Sequence, residues 1–263
     1  MNDIIIKKNE KKELKFDIDK NEDFNILVEK NAELNLMVIY SLNKLDSKIN
    51  FNINLEENSK LNFINLQKFS NMTENNILRE IKQERNSVFN LFDLNFGGKL
   101  TNVNVSANLN GENSRFEHFA VFLGNKEQRF NFDVNAFHNA PYTYSNMLTK
   151  GALSDKSKSF YKGLIKIKQN ASNSNGYQKQ DAILLSQDAE SNSIPKLEID
   201  NNEVRCTHGS SVSQIDDEKM FYVMSRGLDE KEAKITLVKG FLREVIDKVN
   251  FGELDELIEE NIK

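Results

Sequence analysis

One spacing constrains this chain more than any other feature. The pattern Asn-[Ala/Ser]-x-[Leu/Phe] occurs at Asn31-Ala32-Glu33-Leu34, Asn58-Ser59-Lys60-Leu61, Asn86-Ser87-Val88-Phe89 and Asn113-Ser114-Arg115-Phe116, in steps of 27, 28 and 27 residues. A looser copy, Asn139-Ala140-Pro141-Tyr142, follows 26 residues on. An acid stands one or two places ahead of each of the first four asparagines. A fixed period of this length is the signature of a stacked array.

Between the copies the chain reads as strand. Phe24, Ile26 and Val28 alternate with other residues, as do Leu34, Leu36 and Val38, then Ile49, Phe51, Ile53 and Leu55. Val103, Val105, Ala107 and Leu109 repeat the pattern, and so do Phe130, Phe132, Val134 and Ala136. Alternation with period two marks half-buried strands. Asparagine tolerates left-handed backbone and closes turns with its own side chain, so it suits the corner of each coil. Two strands per repeat, with no helix between, predict a mostly β chain folded as a parallel β-helix. An antiparallel sandwich is the alternative, since its turn signals also recur every few residues.

The pattern changes near residue 216. Asp216 or Asp217 can cap a helix carrying Met220, Phe221, Val223 and Met224, with Gly227 as its stop. Asp229 and Glu232 have the spacing of a capping box ahead of a second helix. Its apolar stripe is Leu237, Val238, Phe241, Leu242, Val245, Ile246 and Val249. A last short helix holds Leu254, Leu257 and Ile258. The expected organisation is a β-helix core over 1–215 and a small C-terminal helical unit over 216–263.

Composition removes several functions. The 263-residue chain is 38% hydrophobic and 29% charged, enough for a packed core, and its net charge is -5. An acidic chain lacks the basic footprint of a nucleic-acid binder. No stretch approaches a membrane span, and the N-terminus has no apolar signal region. The single cysteine, Cys206, cannot form an intrachain disulfide, which fits a reducing, cytoplasmic setting. There is no phosphate-binding P-loop, no Gly-x-Gly-x-x-Gly, no Gly-x-Ser-x-Gly and no Cys-x-x-Cys. The absence of Trp and of a signal region counts against a polysaccharide-acting β-helix enzyme.

Three histidines occur. His138 shares strand phase with Phe132, Val134 and Ala136, and His118 lies among Phe116, Phe119 and Val121, so both read as structural. His208 differs in its company. Val204, Cys206 and His208 alternate along one strand, which puts the thiol and the imidazole on one face with Cα atoms ~7 Å apart. Such a pair can converge on a soft or borderline metal, but two ligands hold it weakly. A dimer axis through the strand would supply two of each. A Cys206–His208 hydrolase is disfavoured, because neighbouring positions on one strand leave no evident oxyanion hole or third orienting group.

The C-terminal third is similar to the SufB/SufD family of iron–sulfur cluster assembly scaffolds. The resemblance rests on an ordered set over residues 137–246. It comprises His138 through Ser145, then Phe160-Tyr161-Lys162-Gly163, then Gln178 through Ser186, Ile194-Pro195-Lys196-Leu197-Glu198-Ile199, Val204 through Val212, and Phe221 through Gly227. The resemblance implies a right-handed parallel β-helix followed by C-terminal helices. It implies a scaffold that is not itself an enzyme, pairing through the β-helix end as a homodimer or with a SufB-type partner. The helices of the family dock a SufC-type ABC ATPase, which here assigns partner binding to Phe221, Tyr222, Ser225, Arg226 and Gly227. Cys206 and His208 match the SufD-type Cys-x-His pair and become the expected ligands of a transient iron–sulfur cluster. The SufB-type cysteine position holds Ala189, and Gly209 stands where SufB-type members carry glutamate. Against the larger members, the chain reads as a minimal form. A structural or adaptor β-helix without its own cluster is the competing expectation.

Overall fold

A computed structural model describes residues 2–41, 46–70, 72–249 and 254–261. Among these residues, sixteen strands fall into two sheets of eight. One sheet holds the odd strands in order, β1 (Asn2–Ile6), β3 (Glu22–Val28), β5 (Asp46–Leu55), β7 (Glu74–Gln83), β9 (Leu100–Leu109), β11 (Arg129–His138), β13 (Lys158–Ile167) and β15 (Glu190–Ile199). The other holds the even strands, β2 (Lys11–Ile18), β4 (Glu33–Tyr40), β6 (Lys60–Phe69), β8 (Val88–Gly97), β10 (Arg115–Gly124), β12 (Tyr144–Leu153), β14 (Asn175–Leu184) and β16 (Arg205–Gln214). Each strand pairs with the strand two places on in sequence, and the pairings are parallel. This is the predicted β-helix, and the parallel ladders exclude the antiparallel sandwich.

The repeat has a residue-by-residue explanation. Asn31, Asn58, Asn86 and Asn113 all sit in left-handed backbone, at φ 60°, 58°, 56° and 60°. Asparagine tolerates that region and a β-branched residue does not. The next residue is small because it is sealed inside the corner: Ala32, Ser59, Ser87 and Ser114 are buried. The serine hydroxyls donate back to the carbonyls of Glu56, Glu84 and Gly111, at 2.6–2.8 Å. The fourth residue enters the interior, where Leu34, Leu61, Phe89 and Phe116 are fully buried. The acid ahead of the motif also bonds across rungs in two turns, where Glu29 and Glu56 accept the amides of Lys8 and Lys30.

The asparagine side chains form a ladder along the corner. Each Nδ2 donates to the Oδ1 one turn below, from Asn113 through Asn86, Asn58 and Asn31 to Asn9. Asn9 is a rung that the sequence pattern missed, with φ 62°, and Asn173 takes the same left-handed corner position at φ 59°. The expected copy at Asn139 is out of register. Tyr142 occupies the left-handed position there, and Asn139 donates instead to Asn110. The turn had gained two residues, so the motif match landed three places early.

The helices are α1 (Asp217–Met224), α2 (Glu230–Ile246) and α3 (Leu254–Asn261). Asp216 caps α1 by accepting from Glu218 and Lys219, and Asp229 with Glu232 forms the capping box of α2. Gly227, at φ 99°, lies two residues beyond the C-cap Ser225. The buried side chains of α2, Val238, Leu242, Val245 and Ile246, pack on the outer face of the even sheet, against residues such as Phe119, Val121 and Leu148. That face is apolar where an exposed strand would be polar, because the outward positions of β10 are Phe119, Val121 and Leu123. Ile258 joins the same cluster, while the side chains of Leu254 and Leu257 lie outside the described residues.

Candidate functional site

The last rung carries the candidate site. β15 and β16 end their sheets, so each has an edge with no strand beside it among the described residues. β16 lies on β14 with Cys206 opposite Gly176 and His208 opposite Gln178. Gly176 and Gln178 face the interior of the β-helix, so Cys206 and His208 face the same way at its open end. The two side chains therefore share one face of one strand, as the spacing predicted.

Their environments differ. Cys206 is half-buried and packs on the core, and a Cβ added to Gly176 would lie 3.2 Å from its Sγ. Burial pushes the thiol up to about 11, against a smaller opposing effect of the Thr207 amide, so the isolated chain holds it protonated at neutral pH. His208 is exposed. The interior just below is polar. Gln178 donates to the Lys196 carbonyl at 2.9 Å, and Gln180 and Ser191 lie 3.4 Å apart. Among the described residues, no group of three or more His, Cys, Asp or Glu side chains could hold a metal ion. Ala189 is buried in the turn before β15.

The other expected site residues lie on a separate element. Phe221 is 76% exposed and Tyr222 58%. Ser225, Arg226 and Gly227 are also exposed. Arg226 donates to the Tyr222 hydroxyl at 3.0 Å and stacks over its ring at 5.1 Å. α1 begins three residues after β16 ends, so this face is joined to the Cys206 strand by a very short connection.

Two further histidines are interior. His138 is fully buried between Thr143 Oγ1 at 2.7 Å and Ser145 Oγ at 2.8 Å. Burial pushes it down to about 4, so it is neutral. His118 bonds Asp93 Oδ2 at 2.9 Å, and Asp93 also takes a two-pronged contact from Arg79 at 3.0 Å. All three are fully buried. Burial would raise the Asp93 carboxyl, but the Arg79 charge and the His118 bond outweigh it and hold the group below its ordinary value. Sequence reasoning missed this cluster. Its signal is a charge in apolar phase: Arg79 falls between Ile77 and Ile81, and Asp93 follows Phe89 and Leu91 at period two.

Comparison with known proteins agrees with this architecture. The family model described as SUF system FeS cluster assembly, SufBD core domain, matches residues 16–241. The iron-sulfur cluster assembly protein SufD of Escherichia coli K12 is 32% identical over 151 residues, which is 57% of this chain and 36% of that protein. A SufBD family protein of Galdieria sulphuraria is 31% identical over 65% of this chain and 77% of its own length. A mycobacterial member, from Mycobacterium tuberculosis H37Rv, is 28% identical over 75% of this chain, and the match spans 24% of that longer protein. No helix among the described residues is long and apolar enough to cross a membrane. With a family match that runs from the second strand into the second helix of a parallel β-helix, the chain belongs to the SufBD family of the SUF iron–sulfur cluster assembly system.

Proposed function

We propose that this protein is a scaffold subunit for iron–sulfur cluster assembly, with the nascent cluster as cargo at the open end of the β-helix. The observation that carries the reading is the last rung, where Cys206 and His208 share the inner face of a strand with a free edge. One copy offers a thiol and an imidazole, and a second copy or a SufB-type partner on the same edge completes a ligand set. Parallel edges of this kind are ready templates for pairing. The raised Cys206 thiol means that iron must displace a proton on binding, as thiolate ligation requires.

The energy source belongs to a partner in this reading. α1 exposes Phe221 and Tyr222, with Arg226 stacked on the Tyr222 ring, and such aromatic and arginine groups are favoured at interface centres. A SufC-type ABC ATPase is the proposed occupant. The short connection between β16 and α1 gives a route by which a pull on the helix reaches the Cys206 strand.

Two experiments test this. Anaerobic reconstitution with ferrous iron and sulfide should give a visible charge-transfer chromophore with bound iron, lost in Cys206→Ala and weakened in His208→Ala. An unchanged chromophore in the double variant would overturn the ligand assignment. A pulldown with a SufC-type ATPase should lose binding in Phe221→Asp and keep it in wild type; retained binding in the variant would remove α1 as the docking surface. The absence of a three-ligand cluster among the described residues favours a second reading, an adaptor that positions a cluster held by its partner. Reconstitution separates the two: the adaptor reading gives no chromophore in the isolated chain and one in the complex that Cys206→Ala leaves intact.

A further inference from the structure

On the corner opposite the asparagine ladder, the chain turns from the even sheet into the odd one. Four residues separate β10 from β11 and four separate β12 from β13, but only Gly98 and Lys99 separate β8 from β9. The short turn leaves a notch beneath its neighbours. Gly97 and Gly98 both have φ 82°. A Cβ on Gly97 would come 2.1 Å from the Phe69 carbonyl oxygen, and one on Gly98 2.6 Å from Thr101 Oγ1. The tight backbone path therefore requires both glycines, and the recess is fixed by them.

The notch encloses about 800 Å³, within the range of small-ligand sites. Lys99, Lys126, Arg129, Lys156 and Lys158 line it against only Glu74 and Glu127. This positive excess sits on a chain whose net charge is -5. Lys99 is paired with Glu74 at 3.3 Å and Lys158 with Glu190 at 2.6 Å. Lys126, Arg129 and Lys156 make no ion pair among the described residues, and all three are exposed. Arg129 and Lys158 are register partners on adjacent strands. Their backbones are thus about 4.8 Å apart, a step that a chain of linked phosphates can bridge. Arginine supplies a planar fork for phosphate oxygens, and lysines supply point charges around it.

We propose that this notch is a binding site for a small oligophosphate anion. The recess favours a compact ligand over an acidic protein surface, which would meet a flat or projecting patch. The site is independent of the cluster-assembly reading, because it lies at the opposite corner from Cys206, which stands at the start of β16, and its lining includes no residue of β16 or α1.

Calorimetric titration of the full chain with inorganic tripolyphosphate tests it, with sulfate at matched ionic strength as reference. Saturable binding beyond sulfate is expected. The triple variant Lys126→Ala, Arg129→Ala, Lys156→Ala should weaken it roughly tenfold or more, as loss of charged hydrogen bonds predicts. A control triple, Lys8→Ala, Lys12→Ala, Lys15→Ala, removes the same charge from exposed positions near the N-terminus and should leave affinity unchanged. Melting temperature without the anion checks that each variant is folded. Titration with adenosine triphosphate identifies the source: a gain over tripolyphosphate points to a nucleotide, and equal or weaker affinity to the inorganic chain. Binding no better than sulfate, or an equal loss in the control triple, overturns the proposal. So does binding of polyglutamate in place of tripolyphosphate, which would make the notch a protein-docking surface.

Discussion

His138 shows how the β-helix interior treats a titratable group. Both ring nitrogens are engaged by hydroxyls, and Thr143 is tied in turn to Ser174 at 2.7 Å. The ring is satisfied as a neutral group and has no place for a second proton. Burial holds it near 4 against an ordinary 6.5. Above the ordinary value, folded and unfolded chains are both neutral and the full stability is present. As pH falls through that value, only the unfolded chain gains a proton, so stability drops until the folded group titrates near 4. The loss attributable to this residue is roughly 3 kcal/mol. Urea unfolding at about pH 7.5 and about pH 4.5 measures it. His138→Gln should lower stability at the higher pH and flatten the difference between the two; an undiminished pH dependence would reject the assignment. The sequence showed that His138 was structural from its strand phase alone. It could not show the Thr143 and Ser145 partners, because they lie across a corner whose register it misjudged. It missed the Arg79–Asp93–His118 cluster for a related reason: alternation finds apolar positions and passes over a charge that occupies one.

At the scale of elements, the corner explains both the success and the limit of reading the repeat. The motif Asn-[Ala/Ser]-x-[Leu/Phe] works because each place answers a different physical demand: left-handed backbone, a small sealed side chain, an outward residue, a core residue. Where turns kept their length, the spacing gave strands, sheets and inward faces directly. Where the turn before β12 lengthened, a chance asparagine imitated the motif while Tyr142 took the strained position. Identical-looking asparagines should therefore respond differently to substitution. Asn86→Ala places a Cβ-bearing residue without a turn-closing side chain at φ 56° and removes two ladder bonds. It should cost about 1–2 kcal/mol, and Asn86→Gly should recover about 1 of these by relieving the backbone. Asn139→Ala loses a single exposed hydrogen bond and should cost no more than about 0.5 kcal/mol. Denaturant midpoints of the three variants decide it, and an equal cost for Asn86→Ala and Asn139→Ala would refute the left-handed explanation. The helix caps were legible for the same reason as the corner motif: Asp216 and the Asp229–Glu232 pair are local chemistry.

For the whole molecule, the consequential finding is where the helices rest. Capping boxes and apolar stripes define a helix and the width of its buried face, but they do not say which surface receives it. That surface was written in the outward residues of the even sheet, and alternation treats such positions as solvent-facing. Here Leu94, Phe119, Val121, Leu123 and Leu148 are buried by the helical layer. Lys150 pins the layer down from the sheet side: it donates to the Phe241 carbonyl at 3.1 Å, meets Glu244 at 2.7 Å and lies 4.9 Å over the Phe241 ring. The helical unit is thus half of a second core as well as a candidate docking surface. Removing it to test partner binding would confound two effects. Deletion from residue 216 onward should leave the parallel ladders intact, because each rung is held by its neighbours and by the interior core. It should also bare a contiguous apolar face, and such faces drive association. The expected result is retained β-sheet circular dichroism, with self-association in size-exclusion chromatography and strong binding of a hydrophobic dye. A monomeric, dye-silent product would mean that the outer face is stable in water and that the helices serve the partner alone. Point variants on the exposed side of α1, such as Phe221→Asp, avoid the confusion, because that side contributes nothing to the second core.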